Sequence, residues 1–299
     1  MVALVGPTAA GKSDLAVDLA LSLGAEVVSA DSMQIYRGMD IGTAKLPVAS
    51  RRGVAHHLLD LLDVGEPVTV AEFQGWAREA VSDCRQRGVV PVVVGGSALY
   101  LRAVLDEFHF PGTDADVRAR LEAELAVSGA ADLHRRLLAL DPVAGSAILP
   151  GNGRRIVRAL EVMELTGEPF RASLPEYVYA FSPVVQIGLD VPRDVLDVRI
   201  EQRVARMWSA GFVDEVRRLE RDGLREGRTA SRALGYRQVL GFLAGETDEQ
   251  TARAETVRLT RRFARRQLTW FRRDPRIRWL PYDDPELLEH AVDAVRSLM

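Results

Sequence analysis

Four consecutive apolar residues, Val2–Val5, lead into a glycine-rich turn, and beyond it apolar positions recur at Leu15, Ala16, Leu19, Ala20 and Leu23. The first run has the length and continuity of a strand covered on both faces. The second has the spacing of an amphipathic helix, which Gly24 ends. The same order then recurs. Residues 26–30 predict a short strand ending at Asp31, and residues 89–94, interrupted by Pro91, predict a buried strand ending at Gly95-Gly96-Ser97, where another helix begins. Between these strands, residues 37–68 carry glycines, prolines and the pair His56-His57 and predict irregular structure. Thr69 with Glu72 three residues on is a capping box, opening a helix over 69–87.

Strand–helix alternation of this kind predicts an α/β fold: a P-loop NTPase-like parallel sheet core with helices on both faces. From about 107 to 180 the alternation stops. Leu121, Leu125, Leu133, Leu137 and Leu140, then Ile156, Leu160 and Met163, predict helices, with turns at Pro111-Gly112, Asp141-Pro142 and Pro150-Gly151. The expected organisation is a core of residues 1–106 and 181–299 interrupted by a helical insertion domain at 107–180. Residues 184–189 return to strand character. Helices follow over 193–208, 212–222, 232–244 and 248–272, then a short strand over 277–280 and a terminal helix from Pro285.

Composition narrows the class. With 47% hydrophobic and 27% charged residues the chain of 299 is an ordinary globular one, and no apolar run approaches the ~20 residues that cross a bilayer. A core strand that starts almost at the first residue leaves no room for a signal segment, so a cytoplasmic location is expected. The single cysteine, Cys84, excludes an intrachain disulfide and a cysteine-cluster zinc site; its helical position predicts a packing role. His56 and His57 lack a third ligand at metal spacing and are assigned to structure.

The net charge of -3 conceals an asymmetry. Residues 251–279 carry ten arginines against Glu255 and Asp274, a local excess of eight. On the helix over 248–272, Leu259, Phe263 and Trp270 predict the apolar stripe. The run lacks the acidic partners that a salt-bridged surface helix would normally carry, which favours a polyanion held through its phosphates.

Candidate chemistry begins at Gly6-Pro7-Thr8-Ala9-Ala10-Gly11-Lys12-Ser13, which fits G-x-x-x-x-G-K-[ST]. Glycines let successive backbone N–H groups converge on an anion, Lys12 adds a positive charge, and the Ser13 hydroxyl is placed to ligate Mg²⁺. Loops at the carboxyl ends of parallel strands form the ligand crevice, so Asp31 faces the same crevice as Lys12 and offers a base there. Ser97 brings a hydroxyl, either as a helix cap or toward a ligand. These residues alone leave three alternatives open: a small-molecule kinase using ATP, a transferase acting on free adenine nucleotides, and a non-catalytic nucleic-acid-binding protein with a degenerate loop.

The sequence resembles the tRNA dimethylallyltransferases nearly end to end. The resemblance rests on the phosphate loop and on the block Asp31-Ser32-Met33-Gln34-Ile35-Tyr36-Arg37-Gly38-Met39-Asp40-Ile41-Gly42-Thr43-Ala44-Lys45, the most specific of its motifs. Further matches are Val94-Gly95-Gly96-Ser97-Ala98-Leu99-Tyr100, Arg154-Arg155-Ile156-Val157-Arg158-Ala159-Leu160-Glu161-Val162, Gly235-Tyr236-Arg237-Gln238 and Arg265-Arg266-Gln267-Leu268-Thr269-Trp270. It implies transfer of a dimethylallyl group from dimethylallyl diphosphate to N6 of adenosine 37, in tRNAs reading codons that begin with U. The loop from Gly6 to Ser13 would then hold a leaving diphosphate, with Mg²⁺ at Ser13 and Arg203 as a further diphosphate contact.

Asp31 matches the residue that takes the proton from the adenine amine, and Ser97 stands where many members have threonine. The resemblance also implies tRNA contacts from Asp31, Ser32, Met33, Gln34, Ser97 and Arg118, from Arg154, Arg155, Ile156, Val157 and Arg158, and from Arg232, Gly235, Tyr236 and Arg237. Arg261, Arg262, Arg265, Arg266 and Gln267 complete that set. The insertion would pack against the anticodon stem. A bacterial-type enzyme without a zinc-finger extension, acting as a monomer, is expected.

Overall fold

The computed structural model describes residues 1–170 and 176–297; the part of the insertion reading that falls on 171–175 lies outside the described residues. Two compact units are formed, one from Met1–Asp106 with Tyr179–Met299, the other from Glu107–Val178.

In the first unit six strands pair in parallel: β1 (Val2–Val5), β2 (Glu26–Ser29), β3 (His56–His57), β4 (Pro91–Gly95), β5 (Val185–Asp190) and β6 (Ile277–Pro281), in the order β3-β2-β4-β1-β5-β6. β1 is central, with Val2 paired to Val92 on one side and Val185 on the other. Side chains alternate across the sheet, as the two-residue period of a strand requires. Ala3, Val5, Val28 and Val93 pack with α2 (Val70–Gln86) and α3 (Ala98–Leu105), whereas Val2, Leu4, Val27 and Val92 pack with α1 (Lys12–Leu23), α7 (Arg193–Ser209) and α11 (Leu287–Arg296). Both faces are therefore covered, which is why these strands read as continuous apolar runs. Pro91, lacking an N–H, is tolerated as the first residue of β4.

The capping box at Thr69 forms: its hydroxyl accepts the Glu72 N–H at 3.2 Å and the Glu72 carboxylate accepts the Thr69 N–H at 2.8 Å. Cys84 on this helix is buried, and burial pushes its thiol up to about 11, in keeping with packing.

Three sequence expectations need correction. His56-His57 is not irregular but the edge strand β3, paired to Val27 and Val28. Two residues are too few to show a period, and the edge is held by charge: Glu26 accepts from Arg87 Nη1 and Nη2 at 2.7 Å and from His57 Nε2 at 2.7 Å, which hold its carboxyl near 2. The helix expected over 232–244 begins later. A 3₁₀ turn at Ala230–Arg232 is followed by a backbone break at residue 235 and by α9 (Tyr236–Leu243).

On α10 (Glu249–Phe271) the buried face is Ala252, Thr256, Ala264, Gln267 and Phe271, not the stripe of Leu259, Phe263 and Trp270. Trp270 is 43% exposed. The helix packs on α7 and α9 through small and polar side chains, which permit close approach but leave no hydrophobic signature.

The second unit contains α4 (Ala115–Leu140, broken at Gly129), α5 (Pro142–Ala147) and α6 (Gly153–Thr166). Leu121, Leu133, Leu137, Ile156 and Leu160 form its core. Glu161 is fully buried there; burial alone would raise its pKa, but hydrogen bonds from Arg118, Thr113 and Arg158 hold it near 2.

Candidate active site

The strand ends on the carboxyl side of the sheet open into a cleft of about 980 Å³. It is lined by the turn after β1, by Ser29 at the end of β2 and Asp31 beyond it, by Gly95 at the end of β4 and Gly96 beyond it, and by Leu189, with α7 and α10 supplying Arg203 and Gln267. Such a crevice is where open parallel sheets bind ligands. Between β1 and α1 the chain takes left-handed values at Ala9 (φ 64°) and Gly11 (φ 101°). Gly11 is the residue before α1, so the first-turn N–H groups of Lys12 and Ser13 have no intrahelical partner, and both residues line the cleft.

Charge at this end is unbalanced. Lys12 Nζ folds back to donate to the Pro7 carbonyl at 2.6 Å. Burial, helped by the nearby Arg203 and opposed by Asp31, lowers its pKa to about 7. Arg203 on α7 donates to the Thr43 carbonyl at 3.1 Å, and burial depresses its pKa too, while Asp31 opposes the shift. Two desolvated cations thus share one carboxylate, and an anion entering here would relieve the cost of burying them. Arg199, one turn earlier on α7, reaches the Ala10 carbonyl at 3.4 Å and lies over the Tyr282 ring at 4.4 Å.

Arg199 and Arg206 also line the cleft and are absent from the sequence-based set. Their spacing with Arg203, i, i+4 and i+7 on one helix face, is visible in the sequence, but the apolar period of the same stretch draws attention away from it.

Asp31 forms a turn and leaves one oxygen over. Oδ1 accepts the Met33 N–H at 2.9 Å, a turn-forming bond, while Oδ2 has no hydrogen bond among the described residues. Ser97 is the cap residue of α3, yet its hydroxyl makes no capping bond and lies one residue beyond the cleft-lining Gly96. Ser32, Met33 and Gln34 are half-buried; Gln34 lines the cleft and accepts from Ser29 Oγ at 3.1 Å.

The rest of that block is pinned from behind. The buried Glu215 carboxylate of α8 (Phe212–Arg221) accepts the N–H groups of Asp40, Ile41 and Gly42 at 2.7–3.1 Å and the Tyr236 hydroxyl at 2.6 Å. Lys45 bonds Asp40 at 2.7 Å and Asp60 at 2.6 Å. Tyr236 is therefore wholly buried, and Gly235 is buried beside it, whereas Arg232 and Arg237 are exposed.

In the helical unit Arg154 and Arg155 are exposed, Ile156 and Val157 lie in the core, and Arg118 and Arg158 are bonded to Glu161. On α10 the expectation of unpartnered arginines is corrected for part of the set. Arg258 bonds Glu255, Arg261 bonds Glu201 and the Asp197 carbonyl, and beyond the helix Arg272 bonds Asp190 and Arg276 bonds Asp274 and Asp106. Apart from Glu255, these acids come from other elements or lie beyond helical spacing, so the pattern of the helix alone does not show them. Arg262, Arg265 and Arg266 are exposed and form no ion pair among the described residues. Gln267 is buried: its Oε1 accepts the Thr8 N–H at 2.9 Å and its Nε2 donates to the Gly96 carbonyl at 2.7 Å.

The pattern of the IPP transferases matches residues 34–274 of the chain. The chain belongs to the IPP transferase family. It is similar to the tRNA dimethylallyltransferase of Thermobifida fusca, 63% identical over 296 residues covering 97% of this chain and 92% of the relative. It is also similar to that of a Nocardioides species, 60% identical over 299 residues covering 100% and 96%. Among solved structures, the tRNA isopentenylpyrophosphate transferase of Bacillus halodurans superposes with a TM-score of 0.73 at 39% identity, covering 99% of this chain and 95% of that one. The parallel sheet with helices on both faces is thus the family fold. No helix among the described residues is long and apolar enough to cross a membrane. Glu26, His57 and Cys84 converge outside the cleft, where Arg87 already neutralises the carboxylate.

Proposed function

We propose that this IPP transferase family member moves the dimethylallyl group of dimethylallyl diphosphate onto N6 of adenosine 37, in tRNAs that read codons beginning with U. The observation that carries the reading is the cleft in which Lys12 and Arg203, both desolvated, are opposed by the Asp31 carboxylate. The relatives named tRNA dimethylallyltransferase support the two substrate classes.

As the allylic carbon–oxygen bond breaks, its electron pair goes to the diphosphate. The loop N–H groups from Ala9 to Ser13, with Lys12 and Arg203, stabilise that charge without having to reorganise. The N6 lone pair forms the new carbon–nitrogen bond, and the amine proton passes to Asp31, whose Oδ2 is unengaged. The Ser13 hydroxyl, exposed in the first turn of α1 and without a protein partner among the described residues, fits a Mg²⁺ ligand. Bound there, Mg²⁺ would neutralise part of the leaving diphosphate's charge.

The target base must leave its stack to reach the cleft, which a single-stranded loop permits at low cost. Asp31 to Gln34, Ser97, Arg118, Arg154 to Arg158, Arg232 to Arg237 and Arg261 to Arg266 are the proposed tRNA surface; Gln267, the last of the expected set, is turned inward, its amide bonded to Thr8 and Gly96. With their side chains buried, Ile156, Val157 and Tyr236 would offer RNA only their backbone. Purified protein given Mg²⁺, dimethylallyl diphosphate and an anticodon stem-loop carrying A36-A37-A38 should yield N6-isopentenyladenosine by nucleoside mass spectrometry. ATP turnover on a small alcohol with unmodified RNA would overturn the reading.

A further inference from the structure

Gln267 sits on α10, a helix whose outer face carries Arg262, Arg265 and Arg266, yet both ends of its own amide point inward. Oε1 takes the N–H of Thr8, the third residue of the phosphate loop, at 2.9 Å. Nε2 gives its proton to the carbonyl of Gly96, just before Ser97, at 2.7 Å. These partners lie 259 and 171 residues away in the chain, so one buried side chain ties together three otherwise separate segments.

The fit is tight. A Cβ at residue 96 would lie 2.5 Å from Gln267 Nε2, so only glycine leaves room for the amide, and Gly96 also lines the cleft. The Thr8 N–H, spent on Gln267, cannot turn toward a phosphate. Its role is to hold the start of the loop while the N–H groups of Ala9 to Ser13 remain for the anion.

We infer that Gln267 is a positioning residue that couples occupancy of the basic helix by RNA to the geometry of the diphosphate loop, an inference that rests on the function proposed above. A load on the exposed arginines shifts α10 by small amounts, and the rigid amide passes that shift to Thr8 and Gly96 together. Each ligand then tightens the other by the same factor, as linkage requires.

The test measures binding of dimethylallyl thiodiphosphate, an unreactive analogue, with and without saturating anticodon stem-loop RNA, for the parent chain, Gln267→Met and Gln267→Glu. Methionine keeps the volume and loses both bonds; glutamate still accepts the Thr8 N–H but cannot donate to Gly96. In the parent, RNA should tighten the analogue by about 5-fold or more. In Gln267→Met the RNA effect should vanish and the analogue should bind about 10-fold more weakly, since a buried N–H loses its acceptor. RNA affinity without the analogue should stay within about 2-fold, because the side chain is buried and both ends of its amide are bonded within the protein, and Gln267→Glu should fall between.

Thermal unfolding of each variant checks that the fold persists, and Gln267→Glu gives a second reading if Gln267→Met is unstable. Retained coupling in the variants, no coupling in the parent, or a large loss of RNA affinity alone would each overturn the positioning role. Failure of the parent to bind the analogue at all would instead overturn the diphosphate reading beneath it.

Discussion

Lys12 titrates near 7 because burial strips its ammonium of water and Arg203 adds repulsion that Asp31 only partly offsets. A diphosphate beside it favours the charged form, so the complex has the higher pKa. Between the two values the complex holds more protons than the free protein, and affinity must fall as pH rises through that window. Diphosphate binding should therefore be nearly flat below about 7 and weaken above it by up to about tenfold per pH unit. Calorimetry at pH 8 in two buffers of different ionisation heat should show proton uptake. Lys12→Met should lose that uptake while retaining whatever arises from the ligand's own titration; equal uptake in both proteins would show that Lys12 is already charged. The sequence made Lys12, Ser13 and Asp31 legible because a fixed spacing encodes the loop and a strand end encodes the carboxylate. It did not reveal that Lys12 is poised to titrate, since that depends on Arg203 arriving from 191 residues later in the chain.

At the scale of elements, α7 and α10 mark where pattern reading succeeds and where it stops. Both helices stand close to their expected ranges, at Arg193–Ser209 and Glu249–Phe271. Their facing was harder to read. Apart from Phe271 the buried side of α10 is built from Ala252, Thr256, Ala264 and Gln267, which a hydrophobicity scale passes over, and Arg261 joins the bonded arginines only because α7 supplies Glu201 and Asp197. The division makes the RNA surface testable. Arg262, Arg265 and Arg266 changed together to Ala should weaken anticodon stem-loop binding and lower the slope of log K against log salt by about 0.7 for each phosphate no longer neutralised. Diphosphate binding in the absence of RNA should be unaffected. An unchanged salt slope would place the RNA elsewhere. Arg261, bonded to Glu201, should contribute less than any of the three.

For the molecule as a whole, the parallel core and the helical stretch between residues 107 and 178 are legible in the change from alternating strands and helices to helices alone. The strand order is not. β3 is two residues long, and its place beside β2 depends on Glu26, His57 and Arg87 meeting at the sheet edge. That order puts β1 at the centre, with the phosphate loop at its carboxyl end and Asp31 one strand beyond β4, so the loop and the Asp31 carboxylate open into one cleft. The central claim is that this cleft holds a leaving diphosphate at its cationic end and receives an RNA amine at its carboxylate end. Its most direct test is single-turnover formation of N6-isopentenyladenosine at A37 by Asp31→Asn, with binding of RNA and of diphosphate analogue measured on the same protein. The account predicts a loss of about 10²–10⁴-fold in rate, as expected for a missing proton acceptor, with both affinities within a few-fold of the parent. Product formed at the parent rate, or a rate loss explained entirely by failed RNA binding, would contradict it.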